Sequence, residues 1–194
     1  MQINQKGRSM IEMLGVLSII GVLSVGGLAI VGKARRQQEI TQTLTEVSQL
    51  AESAKKIGCQ YDEGYGNFVN MLGQSDAYPS GLEYESSQND AYFILSSDVK
   101  VKMPYIKAAE DGTGEDALSH FTVEISEMDD DTCVNLASAD WGRKESNGFI
   151  GASFSKENAF SDMASNYPRM DPGTAAASCG ENSTKLYLGF RICH

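Results

Sequence analysis

The chain has 194 residues, room for one globular domain and an appendage, and its 26 acidic and 16 basic side chains give a formal net charge of −10. That balance argues against nucleic acid as the main partner, because a phosphate backbone calls for a basic surface. Seven Phe, eight Tyr and one Trp in a composition that is 41% hydrophobic exclude a disordered chain.

The apolar residues are concentrated at one end. Residues 13–32 form a run of 20 without a charge, and a helix needs roughly 20 apolar residues to cross a bilayer. Residues 33–194 hold 14 basic and 25 acidic side chains, a net of −11. The pattern is a greasy N-terminal rod on an acidic head. Three readings fit the rod: a secretory signal peptide with residues 1–8 as its basic region and cleavage near Gly32, a plain membrane anchor, or a segment that starts in a membrane and ends inside an assembly. Glu12 sits beside the run, where a carboxylate costs a few kcal/mol. Either it lies at headgroup level or it has a partner.

Gly7-Arg8-Ser9-Met10-Ile11-Glu12-Met13-Leu14, followed by the apolar 15–23, resembles the type IV prepilin signature. In that family a short basic leader ends in Gly, the cut follows it, and a Glu stands five residues further on. Gly7 is the only Gly before Glu12, so the register is unique. The family usually has Phe or another apolar residue after the cut, where this chain has Arg8. The resemblance implies a leader over 1–7, cleavage between Gly7 and Arg8 by a prepilin peptidase, methylation of the new terminus, and a membrane and assembly helix over 8–32. It also implies that the α-ammonium at Arg8 of one subunit pairs with Glu12 of another and sets the axial register. The chemistry is sound, because a buried ammonium needs a counter-charge. Ser9 adds a hydrogen bond at the helix start, and Arg8 itself lies four residues from Glu12.

The helix is expected to continue from Met10 to Ile57, about 72 Å at 1.5 Å per residue. Gly26, Gly27 and Gly32 weaken it, serving either close helix packing or local unwinding. Residues 33–57 form the amphipathic half. Ile40, Leu44, Val47, Ala51 and Ala54 recur at helical spacing, flanked by Leu50 and Ile57, while Gln42, Thr45, Gln49, Glu52 and Lys56 lie opposite. Gly58 is expected as the C-cap. Residues 58–194 are the head. Residues 61–81, rich in Gly and Asn, read as a connecting loop. Strands are expected at 91–95 and 99–103 around a Ser96-Ser97-Asp98 turn, at 120–126, more weakly at 149–154, and at 185–193, where Leu186, Leu188, Phe190 and Ile192 share a face. Asp129, Asp130, Asp131 and Thr132 cap a short helix over 133–139; as a calcium loop the triplet lacks alternating oxygen ligands and a Gly. The fold class is therefore α+β, a long helical spine packed on an antiparallel sheet.

Cys59, Cys133, Cys179 and Cys193 all follow the rod, none in a CxxC pair. Thiols exported to an oxidising compartment pair, and three connectivities are open, beside the alternative of free buried thiols. The irregular stretch 163–178 before Cys179, closed by a bridge to Cys133, resembles the C-terminal disulfide-bounded loop of type IV pilins. Cys59 and Cys193 then remain as a second bridge from spine end to last strand. With two histidines and no nucleophile–base pair, no catalytic residue, cofactor or metal ligand is assigned. The reading that follows is a pilin: not an enzyme but a homopolymer subunit, first single-pass in the inner membrane with a cytoplasmic N-terminus, then extracellular in a pilus for adhesion, motility or transfer. Its partners are other copies, the prepilin peptidase, the pilus assembly machinery and the membrane. The alternatives are a secretion-system pseudopilin and an exported or anchored binding domain with an ordinary signal sequence.

Overall fold

The computed structural model describes residues 10–60, 68–87, 90–106, 120–142, 148–154, 170–180 and 185–192. The chain divides into two compact units, Met1–Glu39 and Ile40–His194. Helix α1, Met10–Gln60, belongs to both.

In the first unit the described residues are helical throughout, with Glu12 in the first turn. In the second unit α1 is amphipathic as its spacing predicts. Ile40, Val47, Leu50, Ala51 and Ala54 are buried, and Gln42, Thr45, Gln49, Glu52 and Lys56 are exposed. The helix does not stop at Gly58. A Cβ there would come within 2.6 Å of Ile192 Cγ2 and 3.1 Å of the Phe68 ring. Gly58 is therefore a close-approach residue inside the helix rather than its cap, and the contact it permits holds the end of α1 against Ile192, the residue after the last strand.

Among the described residues seven strands form one antiparallel sheet: β1 Glu83–Ser86, β2 Ala91–Ile94, β3 Lys100–Lys102, β4 Tyr105–Ile106, β5 His120–Ser126, β6 Phe149–Ser153 and β7 Leu186–Arg191. The order is β1-β2-β3-β5-β7-β6, with β4 also on β5. β3 and β4 share one edge of β5, interrupted where Pro104 offers no N–H. There the Thr122 hydroxyl donates to the Pro104 carbonyl (3.2 Å). Residues opposite one another in a sheet share a face, so the register yields two kinds of row. One is apolar: Phe93, Val101, Ile125 and Leu186 in line, then Val123 with Leu188, then Phe121 with Phe190 and Phe149. These join Val47, Leu50, Ala51 and Ala54 of α1 in one buried cluster. The other row is polar and includes Tyr92 with Glu85, Lys102 with Glu124, and Tyr187 with Glu124 and Ser153.

Among the described residues the head holds three further helices: α2 Phe68–Gln74, α3 Asp130–Ser138 and α4 Pro172–Cys179. α2 replaces part of the loop expected over 61–81, because Phe68, Val69 and Leu72 are buried and the Phe68 ring packs edge-on against Phe121 at 5.4 Å. α3 begins as its acids predict, with Asp129 accepting from the Thr132 amide at 2.8 Å. α4 replaces the irregular stretch expected over 163–178 from residue 172 on; residues 163–169 lie outside the described residues. Asp171 caps it by accepting from the Gly173 and Thr174 amides (3.0 and 3.2 Å), and Pro172 supplies the first helical φ.

Candidate assembly surface

The rod is where apolar chemistry meets solvent. Eleven large apolar side chains stand more than half exposed among the described residues: Met10, Met13, Leu14, Val16, Leu17, Ile19, Ile20, Val22, Leu23, Ile30 and Val31. All belong to the first unit. Soluble monomers rarely expose a contiguous apolar patch beyond about 300–600 Å², so a surface of this kind needs a cover. Its hydroxyls do not spoil it. Ser18 donates to the Gly15 carbonyl (2.8 Å) and Ser24 to the Ile20 carbonyl (2.7 Å). Each folds a polar group back onto the helix, where it is satisfied without water or a partner. Glu12 is the exception, an exposed carboxylate among apolar neighbours.

Gly7, Arg8 and Ser9 lie outside the described residues, so the expected cleavage point and the partner of Glu12 are not placed. No helix among the described residues is long and apolar enough to cross a membrane. Within the run expected to span, the side chains of residues 25–29 fall outside the description.

In the head, Cys133 and Cys179 form a disulfide with Cα atoms 5.9 Å apart, both residues buried. It ties the first turn of α3 to the last turn of α4. This is the pairing that the pilin resemblance implies. Cys59 is also disulfide-bonded; its expected partner Cys193 lies outside the described residues. The Cys59 sulfur lies 2.6 Å from the Ile192 carbonyl oxygen, a contact between the end of α1 and the residue after β7. A disulfide sulfur carries no proton, so this is packing rather than a hydrogen bond.

One buried polar cluster was not foreseen. Glu46 of α1 is 9% exposed. It accepts from the Ser96 amide (3.1 Å), from Gln42 Nε2 (3.0 Å) and from the Ser96 hydroxyl. Thr43, also buried, shares a 2.7 Å hydrogen bond with Ser97. These bonds latch α1 to the turn between β2 and β3. A polar residue at 46 within an apolar stripe is the one local sign of it.

The polar side of the sheet carries ion pairs rather than a ligand cradle. Lys185 Nζ lies 2.7 Å from Glu124, whose side chain is only 10% exposed. The hydrogen bond to Glu124 raises the lysine pKa above its usual value. Burial, and then Glu124, raise that of Tyr187. Lys100 pairs with Glu127 at 2.9 Å and Lys102 with Asp90, and both ammonium groups stand over the Tyr92 ring, 5.1 and 5.9 Å from its centre. Among the described residues no group of His, Cys, Asp or Glu could hold a metal ion.

No protein-family model matches this sequence, and no curated protein does. A solved structure does match in shape. The crystal structure of a type IV b pilin from Salmonella typhi superposes with a TM-score of 0.51 at 16% identity, covering 77% of this chain and 96% of that one. At that identity the likeness establishes the fold: a long N-terminal helix with an antiparallel sheet, as in a type IV pilin.

Proposed function

We propose that this chain is a pilin, a structural subunit of a bacterial type IV pilus-like filament and not an enzyme. In this reading the precursor sits in the inner membrane as a single-pass protein, N-terminus in the cytoplasm. A prepilin peptidase cuts after Gly7, and the assembly machinery moves the subunit into a homopolymer on the cell surface. The observation that carries the reading is the rod: eleven exposed apolar side chains on one helix with its hydroxyls internally satisfied, attached to a head of pilin fold. Such a surface suits lipid and a bundle of like helices equally. Transfer from one to the other keeps it out of water throughout.

Glu12 acts in assembly and not in folding. Its carboxylate accepts the α-ammonium at Arg8 of a neighbouring subunit, and removing one partner of a buried pair costs on the order of 3–5 kcal/mol. The test combines mass analysis of the mature N-terminus with the yield of sheared filaments. A terminus at Arg8 and sedimentable filaments support the reading, as does a Glu12→Ala protein that is cut and folded yet polymerises poorly. A terminus near Gly32 means an ordinary signal sequence and defeats it. Oligomers that stop short, with no long fibre, mean a pseudopilin.

A further inference from the structure

Among the described residues one buried side-chain polar atom has no hydrogen-bond partner: Nε of Arg191, the last residue of β7. The side chain as a whole is half-buried and makes no ion pair among the described residues. The backbone around it is tightly built. The Arg191 amide donates to the Gly148 carbonyl at 2.8 Å, and Gly148 has a φ of +77°. A Cβ on Gly148 would stand 3.1 Å from the Arg191 carbonyl oxygen, 3.1 Å from Nζ of Lys55 and 3.4 Å from Arg191 Cβ. The bare glycine therefore lets a lysine of α1 and an arginine of β7 meet over one point of backbone. Lys55, also half-buried, has an interaction of its own. It brings charge to this point, while Arg191 brings the unused donor.

We propose that Arg191, with Lys55 beside it, is a binding site for a phosphate group. A guanidinium is not deprotonated in a protein, so the charge is permanent. Its Nε–H and the nearer Nη–H lie in one plane and match two oxygens of one oxyanion. A buried N–H of a charged group costs more to leave unmade than a neutral one, and a ligand oxygen removes that cost. Phosphate carries about −1.5 to −2 at pH 7, where a carboxylate carries a single charge, so a pair of cations favours phosphate. Residues 40–194 hold 11 basic and 24 acidic side chains. That field opposes any anion at long range, so the attraction is local and the expected dissociation constant is on the order of 1 mM. The site owes nothing to the rod, and it stands or falls apart from the self-assembly reading.

The test uses the full-length chain in a phosphate-free maltoside detergent. The readout is the Arg191 Nε–H resonance in a nitrogen–proton NMR spectrum, assigned by its loss in Arg191→Lys. Inorganic phosphate is titrated in at pH 7 and constant ionic strength, with chloride and acetate as comparison ions. The resonance should move with phosphate and saturate, and acetate should bind about tenfold more weakly. Phosphorus NMR linewidths then follow the variants, with head melting temperature as the check that each is folded. Arg191→Lys keeps the charge but loses the fork, and should weaken phosphate binding about tenfold. Lys55→Gln should weaken it by less. A resonance that stays put up to about 20 mM phosphate overturns the proposal, and that result needs no variant. An equal response to chloride or to acetate overturns it too, as does a folded Arg191→Lys protein that binds like wild type. Glycerol 3-phosphate distinguishes the sources. If it binds as inorganic phosphate does, the site takes phosphate carried on a lipid or sugar; if inorganic phosphate alone binds, the site takes the free ion. Either result supports the proposal.

Discussion

Residues 10–39 and 40–60 belong to one helix and treat their apolar side chains in opposite ways. In the first stretch Leu14, Leu17, Ile20 and Leu23 are 53–68% exposed. In the second Ile40, Val47, Leu50 and Ala54 are 4% or less. Hydrophobicity does not separate them, since the first stretch is the more apolar of the two. Pattern does. The second stretch has a polar face, so the sheet covers the other and the helix is finished. The first is apolar all round, so packing on one face alone would leave the rest of it exposed. In the proposed function its cover is lipid first and other copies afterwards.

The sharpest way to break that contrast is a matched pair of truncations. Phe121 is fully buried, with its ring against Phe68 and stacked on Phe190. Phe121→Ala should cost the head about 3–5 kcal/mol, lowering its melting temperature by on the order of 10 °C. Leu17→Ala should leave the stability of the head within about 0.5 kcal/mol of wild type and reduce polymer yield instead. If Leu17→Ala destabilises the head in calorimetry, the two regions are not independent and the contrast is lost.

A second experiment concerns the covalent part of the head. Cys133 and Cys179 are 46 residues apart in sequence, and opening a loop of that size costs about 2–4 kcal/mol. Cys133→Ser should show this as a lower denaturation midpoint. It should leave residues 10–39 helical by circular dichroism in detergent. The third concerns the latch. Glu46→Ala takes the acceptor from the Ser96 amide and hydroxyl, which should cost about 2 kcal/mol, as hydrogen bonds to a charged group usually do. Hydrogen exchange should speed up at the 96–98 turn before anywhere else in the head.

How much of this was legible in the sequence follows from the range over which each signal acts. The spine, β5 and β7 were readable because their periods of 3.6 and 2 run for six residues or more. α3 was readable because Asp129 stands where a cap belongs. α2 was not, because seven residues carry only Phe68, Val69 and Leu72 as signal and the Gly and Asn around them dominate. α4 is readable in principle, from Asp171 followed by Pro172 at the first helical position, but Pro172 and Gly173 also read as breakers. Edge strand β1 has the sequence EYES, and only its ladder to β2 makes it a strand. β7 was expected to be half-buried, yet Tyr187 on its polar side is 6% exposed, a consequence of tertiary covering that alternation cannot encode. Gly58 and Glu46 failed for the same reason. Their partners, Ile192 and Ser96, lie 134 and 50 residues away, and beyond the polar residue at 46 nothing local points to them. The rod itself is legible because its apolar character runs unbroken along the sequence and depends on no distant residue.

The smallest effect expected is a pH dependence confined to the head. Lys185 is held above its usual pKa by its hydrogen bond to Glu124, and Tyr187 beside them is raised first by burial. Both groups therefore keep their protons in the folded protein after the unfolded chain has begun to lose them. The unfolded values lie near 10.4 for Lys and 10 for Tyr. Stability from these groups is complete below those values and is lost as pH rises through the higher folded ones. Lys185 is half exposed, so solvent screens the pair and its share should stay under about 1 kcal/mol. Denaturant midpoints at pH 8 and 11 should fall more for wild type than for Lys185→Ala, and the variant should be slightly less stable at pH 8, where Glu124 loses its counter-ion. Polymer yield at pH 8 should not change, because the pair lies in the head and the rod is untouched. An alkaline loss of the same size in both proteins would place the titration elsewhere in the head, and a loss of polymer in Lys185→Ala would show that this side of the sheet belongs to the contact between copies.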